Sequence, residues 1–381
     1  MSEGPKIHRV TEPLLWLIPL LLSALGTVMI ASTTSGLSLG EGGSPYAMGM
    51  KQLRSLLVGL GGMVGGYAIP TSQWRRWSGG LWILAWGVTA ATLLPYFGVS
   101  AGGAQRWVQL GPLRFQASDL LSLAVVLHVA RKISEEGVSR GKVFFRVTLL
   151  AALSMGPLLL QPDMGSALLV LALVMGMYVE RHGWKYPLML GVMGVLPLAI
   201  LVVWKPYRMR RFWGWLNPWS DPLNTGFQII QSLVAFANGG VWGLGVGHGL
   251  QKLQYLPESH TDFIFSAIGE ELGLVGTLGV LGLFIMWAWR ARAVYLPLRG
   301  TFEGTLVWGL VLTVLLPVVI NVGGVTKIFL LTGLPLSFVS YGGSSLVMMW
   351  VRVGMLLRLT RDSREERPLP GWTTEGKKAL P

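Results

Sequence analysis

Three residues able to transfer protons lie close together in the stretch YLPESHTDFIFSAIGEELGLVG, which covers residues 255–276. They are Glu258, His260 and Asp262, and a long apolar run begins directly after them. A carboxylate is costly inside hydrocarbon but ordinary at a membrane edge, so Asp262 at this boundary needs a reason. These residues alone leave two interpretations open. Either Thr261 or Asp262 caps the next helix, or Asp262 acts as a catalytic acid or base.

The composition indicates what kind of scaffold holds these residues. Of the 381 residues, 52% are hydrophobic and only 13% are charged, which is about half the charged fraction of an ordinary soluble protein. Many runs approach about 20 residues, the length that crosses a bilayer as a helix. The sequence therefore predicts an all-α polytopic membrane protein with ten transmembrane helices. The predicted spans are residues 14–33, 53–70, 79–97, 115–133, 144–160, 164–180, 187–204, 263–289, 304–322 and 334–357.

The basic residues indicate how these spans are oriented. With the N-terminus in the cytoplasm, nineteen lysines and arginines fall in the inner segments and ten in the outer ones, which satisfies the positive-inside rule. Both termini are therefore predicted to be cytoplasmic, and the first apolar run is a span rather than a cleaved signal peptide. The net charge of +13 is divided among short clusters between apolar runs, so it does not predict nucleic-acid binding. The absence of cysteine excludes disulfides and thiolate metal sites.

One outer segment is much longer than the others. Residues 205–262 join the seventh and eighth predicted spans, and long loops on compact scaffolds commonly carry function. The loop begins with the cations Lys205, Arg208 and Arg210. They oppose the positive-inside trend, so an anionic partner is expected, either lipid head groups in general or one phosphorylated substrate. An apolar stretch at 227–237 predicts a short interfacial or re-entrant helix.

The remaining segments complete the predicted organisation. Glycines that follow the apolar stretch of the loop lack the GxxxxGKS/T pattern of a phosphate loop, so no nucleotide is predicted. A single membrane domain is predicted for residues 1–361, with the outer loop inside it. Residues 362–381 are charged and contain prolines, which predicts a disordered cytoplasmic tail.

Three other polar features interrupt the apolar pattern. Arg106 and Asp119 bracket the sequence RWVQLGPLRFQASD before the fourth span, where a turn and a cap are the simple interpretation. Asp163 lies in the sequence QPD, which predicts a tight turn capped by that residue. The third feature is TGLPLSFVSYGGSS at residues 332–345. A broken helix there is tolerated only against protein or a wet cavity, and close packing through Gly and Ser is the alternative.

Several of these motifs together resemble one protein family. In chain order, GAQRWVQLGPLRFQASD, QPDMGSALL, NPWSDPLNTGFQIIQSL, HTDFIFSAIGEELG and LPLSFVSYGGSS resemble motifs of the SEDS family, the shape, elongation, division and sporulation proteins. The resemblance extends from the first span to about residue 358. It implies a ten-span peptidoglycan glycosyltransferase that polymerises lipid II at the outer face of the bacterial cytoplasmic membrane. A class B penicillin-binding protein, together with other division or elongation proteins, is the implied partner.

The motifs around the long outer loop look closer to the division branch of the family than to the elongation branch. Ala117 and Asp119 stand where the family commonly has Pro and Glu. Asn217 stands where Asp is usual, and Asn238 where a small residue is usual. These departures keep an elongation enzyme as an alternative. A lipid II flippase and a non-catalytic scaffold are the alternatives from other functional classes.

The resemblance also implies roles for individual residues. Asp262 is implied to be the general base that takes the proton of an acceptor hydroxyl. Cations are expected to stabilise the leaving pyrophosphate, with Mg²⁺ or Mn²⁺ as a divalent cofactor that could share the task. These cations are Arg106, Lys205, Arg208 and Arg210. The residues expected to bind substrate or to support its cavity are Glu258, His260, Ser340, Tyr341, Gly342, Ser344, Gln116, Asp119 and Asp163.

Overall fold

The computed structural model describes residues 12–40, 44–94, 97–101, 104–110, 113–203, 206–250 and 256–365. Helices make up most of this part of the chain. The helices are α1 (Leu14–Gly40), α2 (Ala47–Ala68), α3 (Thr71–Ala91), α4 (Ala117–Ile133), α5 (Arg140–Leu160), α6 (Met164–His182), α7 (Lys185–Val203), α8 (Pro206–Leu216), α9 (Phe227–Gly239), α10 (Ile264–Leu298), α11 (Phe302–Val325) and α12 (Gly343–Glu365). The strands are β1 (Gly98–Ala101), β2 (Ala104–Leu110) and β3 (Leu113–Gln116).

Several of these helices have the length and hydropathy of membrane spans. Five of them, α1, α5, α6, α10 and α11, are long and apolar enough to cross a bilayer. Helices α2 and α3 meet the same requirement as a pair that is bent by 108° at its junction. The chain is therefore a helical membrane protein with several candidate spans, while the count of ten stays a prediction.

The last predicted span, 334–357, is wrong at its start. Helix α12 begins at Gly343. Residues 333–342, which precede it, are not helical and form the loop before α12. Pro335 has no backbone N–H to donate within a helix. Phe338 adopts a positive φ of 64°, which a right-handed helix does not accommodate. The apolar character of this loop therefore reflects burial against the bundle rather than helical structure.

The segment between α3 and α4 departs from the all-α prediction. It folds into a three-stranded antiparallel sheet in the order β1-β2-β3. Trp107 and Val108 of β2 pair with Gln116 and Phe115 of β3. Apolar and polar residues alternate in LRFQ, and a Gly-Pro pair separates this run from RWVQL, which is typical of a hairpin. A turn and a cap are therefore too simple an interpretation of residues 102–119.

Helix α12 packs closely along α2 because glycines remove side chains from their contact. A Cβ atom at Gly66 of α2 would lie 2.4 Å from the carbonyl oxygen of Val351, and one at Gly354 of α12 would lie 2.0 Å from that of Met63. Neither position can hold another residue without movement of the backbone, an arrangement that is common between membrane helices. Trp350 is fully buried in the same region. The middle of α12 is thereby fixed against α2.

Helix α10 consists of two helices joined at Gly273. This glycine has φ 67° and ψ −164°, a conformation that side-chain-bearing residues avoid. The backbone N–H groups of Leu244 and Gly245 donate to the carbonyl oxygens of Glu270 and Glu271 at 3.0 and 2.9 Å. The glycine-rich part of the segment between α9 and α10 therefore satisfies carbonyl groups next to the break. It also anchors the short first half of α10, which begins two residues after Asp262.

Replacing Gly273 with alanine is expected to destabilise the protein by at least about 2 kcal/mol. The added Cβ would lie 2.4 Å from the backbone nitrogen of Gly243 and 2.5 Å from the carbonyl oxygen of Val241. Thermal unfolding in detergent measures the effect, with Gly279→Ala as the matched control, because a Cβ at Gly279 of the same helix meets nothing within 4 Å. Equal melting temperatures for both variants would contradict a structural requirement for the break.

Two further boundaries differ from the sequence prediction in detail. The short helix predicted at 227–237 is α9, which packs on α10 with the Ser232 and Ser266 hydroxyls 2.7 Å apart. Helix α12 continues to Glu365, so the first residues of the predicted tail are helical. Residues 366–381 lie outside the described residues.

Candidate active site

Asp262 lies immediately before α10 and is not the cap of that helix. The helix begins at Ile264, and its N-cap position is Phe263, which makes no side-chain capping bond. Asp262 is partly exposed, and a Cβ built on Gly333 would lie 3.4 Å from its Oδ2 atom. The carboxylate therefore faces the loop before α12. Of the two interpretations that the sequence left open, capping by Asp262 is wrong.

The backbone of Asp262 is held by a buried amide on α11. Asn321 is 3% exposed, and its Nδ2 atom donates to the carbonyl oxygens of Asp262 and Leu334, each at 2.8 Å. One side chain thus joins the chain before α10 to the loop before α12. Breaking either bond would leave a carbonyl oxygen without its partner, which is costly in a buried place.

The loop before α12 makes two more bonds to the residues that precede Asp262. The Ser340 hydroxyl donates to the carbonyl oxygen of Thr261 at 2.6 Å and accepts from the backbone N–H of Leu336 at 2.8 Å. The backbone N–H of Tyr341 donates to the carbonyl oxygen of His260 at 2.9 Å. Together with Asn321, these bonds fix three successive residues, so the position of the acid is determined before any substrate binds.

Helix α2 supports this loop from its other side. Gln52 is fully buried, and its Nε2 atom donates to the carbonyl oxygen of Ser340 at 3.1 Å while its Oε1 atom accepts from the backbone N–H of Gly342 at 3.3 Å. The side-chain amide thus supplies both a donor and an acceptor to backbone groups of a segment that lies outside the helices. Gln52 and Asn321 are site residues that the sequence analysis did not single out.

A separate polar contact joins the small sheet to the turn before α6. Arg106 of β2 donates through Nη2 to the carbonyl oxygen of Pro162 at 3.0 Å, and its Nη1 atom lies 3.8 Å from Oδ1 of Asp163. Asp163 caps α6, because its side chain accepts from the backbone N–H of Ser166 at 3.2 Å. The Arg106 side chain remains 34% exposed, so an oriented cation is presented at this surface.

A small cavity adjoins the loop that packs against Asp262. It has a volume of about 70 Å³, and its polar wall includes Gln116, Asp119, Ser340, Tyr341 and Gly342. Asp262 is not part of this wall, so the cavity lies beside the acid and does not contain it. Pockets for drug-sized ligands commonly have at least about 300 Å³. A cavity of this size suits a few water molecules and supports the loop rather than holding a lipid-linked sugar.

Comparison with known proteins identifies the family. The profile of the cell cycle protein family named for FtsW, RodA and SpoVE matches residues 12–365. This chain belongs to that family. It is 36% identical to the probable peptidoglycan glycosyltransferase FtsW of Halorhodospira halophila, over 94% of this chain and 93% of the relative. It is 34% identical to the protein of the same description from Coxiella burnetii, over 91% of this chain and 96% of the relative.

Solved structures of related proteins have the same fold. One chain comes from a structure described as "Structural coordination of polymerization and crosslinking by a peptidoglycan synthase complex", with 30% identity and a TM-score of 0.77 over 92% of this chain and 98% of that chain. The rod shape determining protein RodA of Thermus thermophilus has 26% identity and a TM-score of 0.68 over 91% of this chain and 96% of that chain. This FtsW/RodA relative therefore shares an architecture with both proteins.

Glu258 and His260 lie at the start of the chain that leads to Asp262. Residues 260–262 are called the Asp262 segment below. Glu258 is exposed and has a positive φ of 57°, and its carboxylate accepts from the Thr261 hydroxyl at 3.0 Å. The His260 ring lies 5.7 Å from the Tyr341 ring, measured between centroids. Burial lowers the pKa of His260, and the nearby Glu258 carboxylate opposes that shift only in part. His260 is therefore held as a neutral ring at neutral pH.

Acidification is expected to destabilise the protein through His260. Because the pKa of His260 is lower in the folded state, the unfolded state binds the proton first as the pH falls through about 6.5. Stability is therefore present above that pH and decreases below it. Melting temperatures between pH 8 and pH 5.5 should fall less steeply for His260→Gln than for wild type. The exposed His248→Gln should behave as wild type, and parallel curves for all three proteins would contradict the prediction.

Of the three predicted cations at the start of the long loop, the structure describes the side chain of Arg210 alone. Lys205 and the side chain of Arg208 lie outside the described residues, and Arg210 is exposed on α8. Among the side chains that the structure describes, three or more His, Asp or Glu residues do not gather into a set that could hold a metal ion. A divalent cation therefore stays a prediction.

Proposed function

We propose that this chain is a peptidoglycan glycosyltransferase of the division branch that polymerises lipid II with Asp262 as its general base. The observation that carries the proposal is the set of three bonds, from Asn321, Ser340 and Tyr341, that hold the backbone of residues 260–262. They fix a partly exposed carboxylate at the end of a membrane helix, a place suited to accepting a proton from a bound hydroxyl. The FtsW descriptions of the relatives support the activity and the branch.

The proposed reaction balances with one proton acceptor and one leaving group. The 4-hydroxyl oxygen of an acceptor sugar attacks the anomeric carbon of a lipid-linked donor, and its proton moves to the Asp262 carboxylate. As the new carbon–oxygen bond forms, the bond from the anomeric carbon to the pyrophosphate oxygen breaks. The lipid pyrophosphate leaves with that electron pair, and the configuration at carbon inverts. General base catalysis of this kind contributes about 10²- to 10⁴-fold to the rate.

Arg106 is proposed to stabilise the leaving pyrophosphate. Pro162 and Asp163 hold its guanidinium in one orientation, and a preorganised cation stabilises developing negative charge without further rearrangement. Arg210 on α8, with Lys205 and Arg208 near it in sequence, is proposed to attract the same anionic groups.

Arg106→Ala is expected to weaken lipid II binding by about 10-fold at low salt, because a hydrogen bond to a charged group is worth about 1.5–3 kcal/mol. The difference from wild type should shrink as salt rises, since exposed charges are screened. Titration of lipid II in detergent at several salt concentrations measures both effects. Arg114→Ala is the matched control, because Arg114 is an exposed cation on β3 of the same sheet. Unchanged binding by Arg106→Ala would assign Arg106 to structure alone.

The proposed topology places this chemistry outside the cell. Ten spans, two cytoplasmic termini and a large outer loop between α7 and α10 put Asp262 at the outer face of the cytoplasmic membrane, in agreement with the positive-inside count. A class B penicillin-binding protein is the proposed partner. The related synthase structure, whose description couples polymerization to crosslinking, supports such a partner.

Reconstitution with lipid II tests the proposed function. Purified protein, alone and with its penicillin-binding partner, is placed in liposomes that contain fluorescent lipid II. Glycan strands resolved by gel electrophoresis are the expected result. Labelled lipid that becomes accessible to dithionite without forming strands would identify a flippase instead. Neither strands nor accessible lipid, with or without the partner, would identify a scaffold and overturn the proposal.

A further inference from the structure

Arg352 is a buried cation in the middle of α12, and the proposed reaction assigns it no role. Its residue is 3% exposed, and apolar residues surround it in the sequence LVMMWVRVGMLL. A charge inside a membrane helix is expensive and commonly marks a functional arrangement. The contacts of its guanidinium show what that arrangement is.

The guanidinium of Arg352 joins α12 to the first turns of α4. Its Nη2 atom donates to the carbonyl oxygen of Asp119 at 2.9 Å and to the Ser122 hydroxyl at 2.6 Å. About two helical turns earlier on α12, the Ser345 hydroxyl donates to Oδ2 of Asp119 at 2.6 Å. The two helices are therefore joined by polar bonds at both the backbone and the side chain of Asp119.

These bonds lead directly to the Asp262 segment. The Ser344 hydroxyl accepts from the backbone N–H of Gln116, just before α4, at 3.1 Å. Only two residues separate Ser344 from Tyr341, which with Ser340 holds the chain before Asp262. The cavity beside the loop is lined by Asp119, Ser345 and Ser340 together. A shift of α12 against α4 would therefore move the loop that orients the acid.

The arrangement is poorly explained by stability alone. Within the part of the chain that the structure describes, the buried Nε atom of Arg352 has no hydrogen-bond partner, and Nη1 meets the Met349 sulfur at 3.5 Å. Replacing a whole buried ion pair with apolar residues of similar volume is often neutral or stabilising, so a buried charge is weak evidence for a role in stability. A guanidinium is planar and holds its N–H donors in a rigid arrangement. It can therefore fix the position of one helix relative to another even when some of its donors lack partners.

We propose that Arg352 is a positioning residue for glycosyl transfer, which sets α12 against α4 and so holds Ser340 and Tyr341 against the chain before Asp262. This inference rests on the proposed function. Arg352 does not touch the substrate, so it acts on the rate of the chemical step and not on lipid II binding. Its contribution passes through the Ser340–Thr261 hydrogen bond.

Steady-state polymerisation by Arg352→Met tests the proposal. The expected result is a kcat lowered by about 10- to 100-fold with KM little changed, because small displacements of a catalytic group are costly. Arg352→Lys should recover part of the loss. Arg358→Met is the matched control, because Arg358 lies on the same helix but pairs with Asp362 at 2.7 Å. Its kcat should stay near that of wild type.

A double-mutant cycle separates positioning from a general structural defect. If Arg352 acts through the loop, Arg352→Met and Ser340→Ala should be strongly non-additive in kcat. Additive losses, or a wild-type kcat for Arg352→Met, would overturn the inference. If Arg352→Met does not fold, Arg352→Lys and Ser122→Ala decide, and normal kcat values in both would overturn it. Absence of glycan from wild-type protein is a failure of the proposed function instead.

Discussion

Asp262→Asn is expected to lower lipid II polymerisation by about 10²- to 10⁴-fold, the usual contribution of a general base. Asparagine has nearly the same shape as aspartate but cannot accept the proton of the attacking hydroxyl. The backbone of residue 262 is held by Asn321, and Asp262 does not cap α10. The bond from Asn321 reaches the backbone and is kept in the variant, so Asp262→Asn should fold and bind lipid II as wild type does.

The measurement is the rate of glycan formation by purified Asp262→Asn, together with its melting temperature and its affinity for lipid II. Glu136→Gln serves as a matched control, because it removes one exposed carboxylate from the distant turn between α4 and α5. Retained polymerisation in the folded Asp262→Asn protein would remove Asp262 from the mechanism. Loss of binding together with the rate would instead make this residue part of the substrate site.

Asp262 and its neighbours are visible in the sequence because several polar residues stand together at one end of an apolar run. Gln52 and Asn321 give a much weaker signal in the sequence, since each is a polar residue within a long helix. Their partners are remote in sequence. Gln52 meets Ser340 across 288 positions, and Asn321 meets Asp262 across 59. A local pattern identifies such a side chain as unusual but does not show which backbone group it contacts.

The sheet and the break in α10 escape the sequence analysis for a different physical reason. Hydropathy is averaged over about 20 residues to find a span, whereas the strands of the sheet have only 4 to 7 residues. The break depends on one residue, Gly273, within a helix of 35 residues. The conformation of that glycine is set by the segment after α9, which packs beside it. Long apolar helices are therefore predictable here, while the short elements that orient the acid depend on tertiary contacts.

The second large effect on polymerisation is expected from a change at Asn321, whose amide donates to the backbone carbonyl of Asp262. Asn321→Leu keeps a side chain of similar size but removes both hydrogen bonds, to Asp262 and to Leu334. Each buried carbonyl left without a donor costs about 1–3 kcal/mol, so the melting temperature should fall. Release of the Asp262 backbone should also lower kcat by about 10²-fold, since a misplacement of about 1 Å can have that effect.

Both effects are measurable below the melting temperature of the variant, where its kcat and KM can be compared with those of wild type. Asn238→Leu is the matched control, because Asn238 is exposed on α9 and its amide meets Glu270 at 3.3 Å rather than the Asp262 segment. The control should keep kcat within about twofold of wild type, since the bond from Asn238 to Glu270 does not hold the backbone of residues 260–262. A wild-type kcat in folded Asn321→Leu would mean that the bonds from Ser340 and Tyr341 suffice to place the acid. The support from α11 would then serve stability alone.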